Sequence, residues 1–237
     1  MNMGPDELRD RFAALTTAHV ADACLRAAAP VRCAPPGVGP VVAGGRAAGR
    51  VLPTRHVGSV DIFLEAIDRA APGDVLVVDN GGRTDEACVG DLVVLEAQAG
   101  GLAGLVVWGL HRDTVDIRAV GLPVFSLGAT PTGPRRLAAR PPEALRSARV
   151  GEWSVDPDDL ALADEDGVLF IPAIRARELF DLAESIRDTE RRQAERIRCG
   201  EPLRAQVGFG GYLAARAENT ALTFRDHLRA VGGAIEE

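Results

Sequence analysis

The 237-residue sequence has no lysine: all 27 of its lysine-plus-arginine positions are arginine. This removes Schiff-base aldolases, pyridoxal-phosphate enzymes and lysine-dependent P-loops, each of which needs an ε-amine. Arginine stays protonated and cannot be that nucleophile. Carbonyl chemistry here must draw its electrophile from a metal ion or from fixed dipoles. Aromatics are scarce at 4%, and the basic residues are scattered among 34 acidic ones, for a net charge of −7. A nucleic-acid surface needs a concentrated positive field, so no nucleic-acid partner is expected.

Cys24, Cys33, Cys88 and Cys199 form no C-x-x-C pair. That argues against a zinc cage or disulfide framework and for reduced thiols. No apolar run approaches the roughly 18 residues of a membrane span. The N-terminal stretch MNMGPDELRDRF is polar from its start and lacks a signal-peptide core. No membrane partner is expected, and the expected compartment is the cytoplasm. There is no Gly-x-Ser-x-Gly elbow, and Gly81-Gly82 is not a dinucleotide fingerprint.

What is present is apolar residues, 46% of the chain. That supports one good-sized core with an appendage rather than two equal domains. Helices are expected over residues 5–14 and, with Thr17 as N-cap, to about Leu25. A proline-rich connection spans 30–40, and residues 41–54 read as strands interrupted at Gly44 and Gly45. A helix over 60–70 stops at Pro72-Gly73 before a buried strand, 75–79, and the turn Asn80-Gly81-Gly82. The unit then repeats: a helix from Gly90-Asp91 to Gly100-Gly101, a strand over 105–108, a turn over 109–113, a helix over 114–120 and a strand over 123–125. This alternation predicts an α/β sheet, largely parallel in that stretch. Short strands over 149–171 and a long charged helix over 173–198 follow. The tail beyond Gly200, with Phe209, Tyr212, Phe224 and His227, is expected to pack on the body or on a neighbouring subunit.

In such sheets ligands bind beyond the carboxyl ends of the strands. Two loops qualify. One leads from strand 75–79 through Thr84, Asp85 and Glu86 to a helix start at Gly90, whose free N–H groups suit a carboxylate or phosphate. An Asp-capped helix is the plainer reading. The other is 109–113, where Arg112 offers a fork for an oxo acid and Asp113 a hard oxygen for Mg²⁺. Alone, such a pair is usually a solvated helix start. His111 has no metal-spaced partner and reads as a loop histidine. The acidic residues 156–166 lack EF-hand spacing and read as turn residues.

Gly90-Asp91, twenty residues, then Arg112-Asp113 resembles the Gly-Asp/Glu-X20-Arg-Asp signature of the class II pyruvate aldolases related to 4-hydroxy-4-methyl-2-oxoglutarate aldolase. The same RraA-like superfamily contains the regulator of ribonuclease E activity A. Residues 72–79, 100–107, 122–125 and 164–168 resemble further family landmarks, so the likeness covers roughly residues 14–198. It implies a swivelling α/β/β/α sandwich over residues 1–200 with a C-terminal helical extension, 201–237, assembled as a homotrimer or homohexamer. It also assigns the backbone around Gly90, Asp91, Leu92 and Val93 to a pyruvyl carboxylate and Arg112 to the 2-oxo group. Asp113 becomes the protein ligand of Mg²⁺ or Mn²⁺, and Asp91 the holder of a metal-bound water or an aid to proton transfer. Trp108 stands where many members carry aspartate. The carboxylate contributed by a neighbouring subunit has only Asp188 and Glu195 as candidates.

The implied activity is a metal-dependent lyase that cleaves a 4-hydroxy-2-oxo acid to pyruvate or decarboxylates oxaloacetate. Both reactions leave a pyruvate enolate, whose charge a chelated divalent ion and Arg112 would spread. The alternative is a non-catalytic regulator acting through an oligomer surface, which need not keep Asp91, Arg112 and Asp113 together. A methyltransferase reading lacks a glycine-rich cofactor loop after an N-terminal strand.

Overall fold

Side chains alternate along the buried strands, and that alternation sorts them onto three cores. The computed structural model describes residues 3–231. In chain order it contains α1 (Pro5–Ala13), α2 (Thr17–Arg26), β1 (Arg32–Cys33), β2 (Gly39–Pro40), β3 (Ala47–Arg55), α3 (Asp61–Asp68), β4 (Val75–Asp79) and β5 (Ala87–Val89). Next come α4 (Asp91–Ala99), β6 (Gly104–Trp108), β7 (Leu110–His111), α5 (Thr114–Val120), β8 (Val124–Ser126), β9 (Ala148–Val150) and β10 (Trp153–Val155). β11 (Asp159–Asp164), β12 (Gly167–Pro172), α6 (Ala176–Arg198), α7 (Leu203–Gln206), α8 (Phe209–Glu218) and α9 (Phe224–Val231) complete the described chain.

Eight strands form one curled sheet in the order β1-β12-β11-β3-β4-β6-β8-β2. β3, β4, β6 and β8 run parallel, as the strand–helix–strand pattern predicts, and β11 joins β3 antiparallel. Leu76, Val78, Leu105 and Val107 point under α3, α4 and α5 into one core. Leu160, Leu162, Leu169 and Ile171 point the other way under α1, α2 and α6. The intervening residues Val75, Val77, Val106, Ala161 and Phe170 meet between the two halves of the sheet. Period-two geometry thus yields the helix–sheet–sheet–helix layering. No helix among the described residues is long and apolar enough to cross a membrane.

The beginning of α2 corrects one expectation. The N-cap is Thr16, not Thr17: Thr16 Oγ1 accepts from His19 N, and the His19 ring accepts from Thr16 N. Thr17 is drawn instead onto the buried Asp164 carboxylate, to which its N–H and hydroxyl both donate, at 2.8 and 2.7 Å. Asp164 thereby ties the β11–β12 turn to α2.

The described part of the tail folds against the end of α6, where Gln206 Nε2 donates to Gln193 O and Glu201 O. Tyr212 packs among Phe209, Phe224 and His227 with ring centroids 5.0–5.7 Å away. Residues 232–237 of the expected extension lie outside the described residues.

Replacing Thr16 by alanine removes the cap without touching Thr17, and is expected to lower the unfolding free energy by about 1 kcal/mol. Urea denaturation at neutral pH measures this. An unchanged midpoint would mean that the Thr17–Asp164 contact alone holds the start of the helix.

Candidate active site

β5 and β7 end where the two halves of the Gly-Asp/Arg-Asp motif begin. They pair in parallel, Ala87 beside Leu110 and Val89 beside His111. Arg112 N then donates to Val89 O at 3.0 Å. The twenty intervening residues are one excursion through α4 and β6 that returns the chain beside its starting point. Gly90 consequently lies against Arg112 and Asp113: a Cβ built on it would stand 2.6 Å from Asp113 Oδ2 and 3.3 Å from Arg112 Nε. Its φ of −130° is open to any residue. Space, not torsion, requires glycine here.

Asp113 is the N-cap residue of α5 but does not cap it. Its backbone is left-handed, φ 59° and ψ 40°, and its side chain makes no capping bond. Aspartate enters this region more readily than most residues, at a cost of order 1–3 kcal/mol. The carboxylate lies 3.2 Å from Arg112 Nε, with both side chains part-exposed. The start of α4 faces the same place. Gly90 is its N-cap, with no side-chain cap, so the helix offers the N–H groups of its first turn no internal acceptor. The dipole adds attraction for an anion there. A cavity of about 160 Å³ is lined by Gly90, Asp91, Leu92, Val93 and Arg112 together.

His111 is excluded as a base by its own bonds. Nδ1 is paired with Ser126 Oγ at 2.7 Å and Nε2 with Thr114 Oγ1 at 2.9 Å. Burial pushes its pKa below the usual histidine range. It buttresses the Arg112 loop from below.

The opposite wall depends on Glu86, whose side chain is fully buried. It accepts from Arg135 N at 2.8 Å and Arg136 Nε at 3.2 Å, fixing the irregular segment that carries Gly133 and Pro134. Arg83 Nε is 3.1 Å away, an ion pair with its N–H turned off the line. Burial works to raise the Glu86 pKa, but the Arg135 N–H and the two guanidiniums outweigh it and hold the carboxyl below the usual range. Gly133 in turn seats Arg112, since a Cβ on it would lie 2.9 Å from Arg112 Nη1.

The sequence reading does not include His56, Cys88 or Pro134, which line the same cavity. His56 follows β3 directly, and only the placement of β3 beside β4 brings it to the site. The neighbouring-subunit candidates Asp188 and Glu195 are not brought to it within one chain. Both lie on α6, in the opposite helical layer, paired locally with Arg187 and Arg198.

Among the described residues no three His, Cys, Asp or Glu side chains form a metal cage. Mg²⁺ is commonly held through one or two carboxylates, the remaining positions going to water and substrate oxygens. Asp113 supplies one such hard donor, its Oδ2 lying only 2.6 Å from where a Cβ on Gly90 would stand. The residues fit an ion that shares its shell with a chelating acid.

The profile of a family described as RraA-like (Aldolase/RraA) matches residues 17–170. The chain is 34% identical over 142 residues to the 4-hydroxy-4-methyl-2-oxoglutarate aldolase of Thermus thermophilus, covering 54% of this chain and 79% of that one. It is 32% identical over 137 residues to protein DlpA of Legionella pneumophila, covering 58% of this chain but only 22% of that protein. Its fold is similar to the crystal structure of Streptomyces coelicolor RraAS2, an unusual member of the RNase ES inhibitor RraA family. That TM-score is 0.69 at 25% identity, over 83% of this chain and 100% of that one.

Glu86 makes the stability of the site wall pH-dependent. Its folded pKa is depressed, so its contribution is complete above the unfolded glutamate value, about 4.3, and is lost as pH falls through the lower folded value. Glu86→Gln should flatten this acid-side loss and cost about 1.5–3 kcal/mol at pH 7. Urea midpoints between pH 3 and 7 test this. A pH slope identical to the parent's would show that another group anchors the segment.

Proposed function

Because the chain belongs to the RraA-like family, we propose that it is a divalent-metal-dependent carbon–carbon lyase. It cleaves a 4-hydroxy-2-oxo acid to pyruvate, and the same site decarboxylates oxaloacetate. The observation that carries this reading is the seating of Gly90 against Asp113 and Arg112, which sets an uncapped helix start beside a carboxylate and a guanidinium.

Each group has a role on this reading. The first-turn N–H groups of Asp91, Leu92 and Val93 bind the substrate carboxylate. Arg112 places fixed positive charge where the 2-oxo oxygen becomes an enolate oxygen, so its contribution grows as the carbon–carbon bond breaks. Asp113 holds the ion, and Asp91 orients water beside it. Mg²⁺ or Mn²⁺ at Asp113 supplies Lewis-acid polarisation of the 2-oxo group when bound. The working form is a homotrimer or homohexamer, with a neighbouring carboxylate, Asp188 or Glu195, completing the site. Residues 201–237 form an extension that packs on the body or on a neighbouring subunit. The likeness to RraAS2 favours a second reading, a non-catalytic regulator that binds through an oligomer surface.

Coupling pyruvate release to a reporter dehydrogenase, across several 2-oxo acids, separates the two. The lyase turns over at least one acid with Mg²⁺ or Mn²⁺, stops in EDTA and is abolished by Asp113→Ala. Folded, metal-loaded protein that releases no pyruvate would leave the regulator reading standing. Gly90→Ala sharpens the geometric claim. Its backbone is compatible with alanine, so the denaturation midpoint should hold while kcat/KM falls about 100-fold as Asp113 and Arg112 are displaced.

A further inference from the structure

At the carboxyl ends of β3 and β4, three buried side-chain atoms have no hydrogen-bond partner: Thr54 Oγ1, His56 Nε2 and Asn80 Nδ2. They share one face of the sheet. Thr54 and His56 are two residues apart, Thr54 is in register with Val78, and His56 N donates to Asp79 O at 2.9 Å. Buried polar groups nearly always pair, so each orphan calls for an explanation. His56 is the informative one.

The histidine ring is held on two sides. Phe63 of α3 stacks on it, with centroids 5.2 Å apart and planes 4° from parallel. Asn80 Oδ1 lies 3.0 Å from Nδ1. The same oxygen lies 3.4 Å from Arg136 Nη2, a group that can only donate, which fixes the amide with its oxygen toward the ring. Nδ1 therefore carries the proton, and Nε2 is left as an unshared lone pair. Asn80 itself is seated on Gly109, where a Cβ would come within 2.9 Å of Asn80 Cβ. A ring with one nitrogen oriented by an amide and the other bare has the form of a general base with its orienting partner. This ring lines the same cavity as Gly90, Asp91 and Arg112.

We propose that His56 is the proton-transfer group of this site, its Nε2 exchanging a proton with the 4-hydroxyl and with C3 of the bound 2-oxo acid. The inference rests on the lyase reading above. In cleavage Nε2 takes the hydroxyl proton, and the O–H pair becomes the second bond of the new carbonyl. The C3–C4 pair becomes the C2–C3 double bond, and the 2-oxo π pair moves to oxygen, where Arg112 stands. The imidazolium then returns the same proton to C3 as the C2 carbonyl re-forms, giving pyruvate and neutral His56. With pyruvate alone, Nε2 removes a methyl proton and returns one from solvent.

The protonation state agrees with this role. Burial pushes the His56 pKa below the usual histidine range, opposed by the Asn80 bond and the charges of Glu86 and Asp61 and reinforced by Arg136. The ring is thus neutral near pH 7, and at 2% exposure its proton is screened from bulk water. The Cys88 thiol, which lines the same cavity, is pushed up by burial to about 12 and stays protonated.

The test follows pyruvate methyl protons in D₂O by NMR, with Mg²⁺ present, alongside calorimetry of oxalate as an enolate mimic. The parent should exchange, with a rate that falls as pH drops through an apparent pKa below 6.5. His56→Gln should slow exchange by about 10²–10⁴-fold, with oxalate affinity kept within about threefold. Exchange that survives in His56→Gln overturns the proposal and leaves the lyase reading intact. So does a parent that binds oxalate yet never exchanges. A parent that neither binds nor exchanges overturns both. If His56→Gln does not fold, ¹⁵N-histidine spectra of the parent decide. Oxalate with Mg²⁺ should shift the His56 Nε2 resonance and leave His111 in place, and a stationary His56 overturns the proposal.

Discussion

The contact between Gly90 and the Asp113 carboxylate is the constraint on which the site depends. With room for no side-chain carbon between them, the helix start and the carboxylate stand directly against one another. That closeness comes from the short parallel pairing of β5 with β7, and the pairing comes from the parallel order of β4 and β6. Parallel strands need a crossover, here α4. The spacing of twenty is therefore a length of chain set by one helix and one strand. Lengthening the helix by a residue would rotate and displace the second half of the motif against the first.

Charge pairs hold the surrounding fold together. The arginines bind distant elements together: Arg11 joins α1 to Asp181 and Glu184 on α6, Arg32 joins β1 to Asp159, and Arg136 fixes the cavity wall through Glu86. Arg11 and Arg32 keep part of their side chains in solvent, which screens their pairs and limits what each contributes. The fully buried Glu86 is different, because removing its partners would strand a charge in the interior. Arg112 pairs only with its neighbour Asp113 among these links, at an exposed position, so it ties no remote element down. A cation held that loosely by structure can redirect its charge to a ligand.

Much of the fold was legible because it is local. Alternation along 75–79 and 105–108, the glycine stops, and the strand–helix order all act over a few residues, and they gave the parallel half of the sheet and the long helix. Adjacent threonines defeated the same reasoning: Thr16 and Thr17 both carry a capping hydroxyl, and the choice between them is made by Asp164, 147 residues away. The site divides along the same line. Gly90, Asp91, Arg112 and Asp113 stand in a spaced motif and could be named from it. His56 and its tether to Asn80, 24 residues apart, and Glu86 with Arg136, 50 apart, acquire meaning only from the order of the strands.

On the proposed reading, a single carboxylate per chain has a thermodynamic consequence. An ion that takes only Asp113 from this chain would depend on the bound acid for further oxygen donors, so neither the ion nor the acid would have a complete site without the other. Each then raises the affinity for its companion by the same factor, as linkage requires. Arg112 raises the acid's own affinity and lowers the ion's, being a cation next to a cation's ligand. The balance explains why the guanidinium belongs at the oxo group and the carboxylate across from Gly90: exchanging their places would set two positive charges together and leave the enolate oxygen facing Asp113.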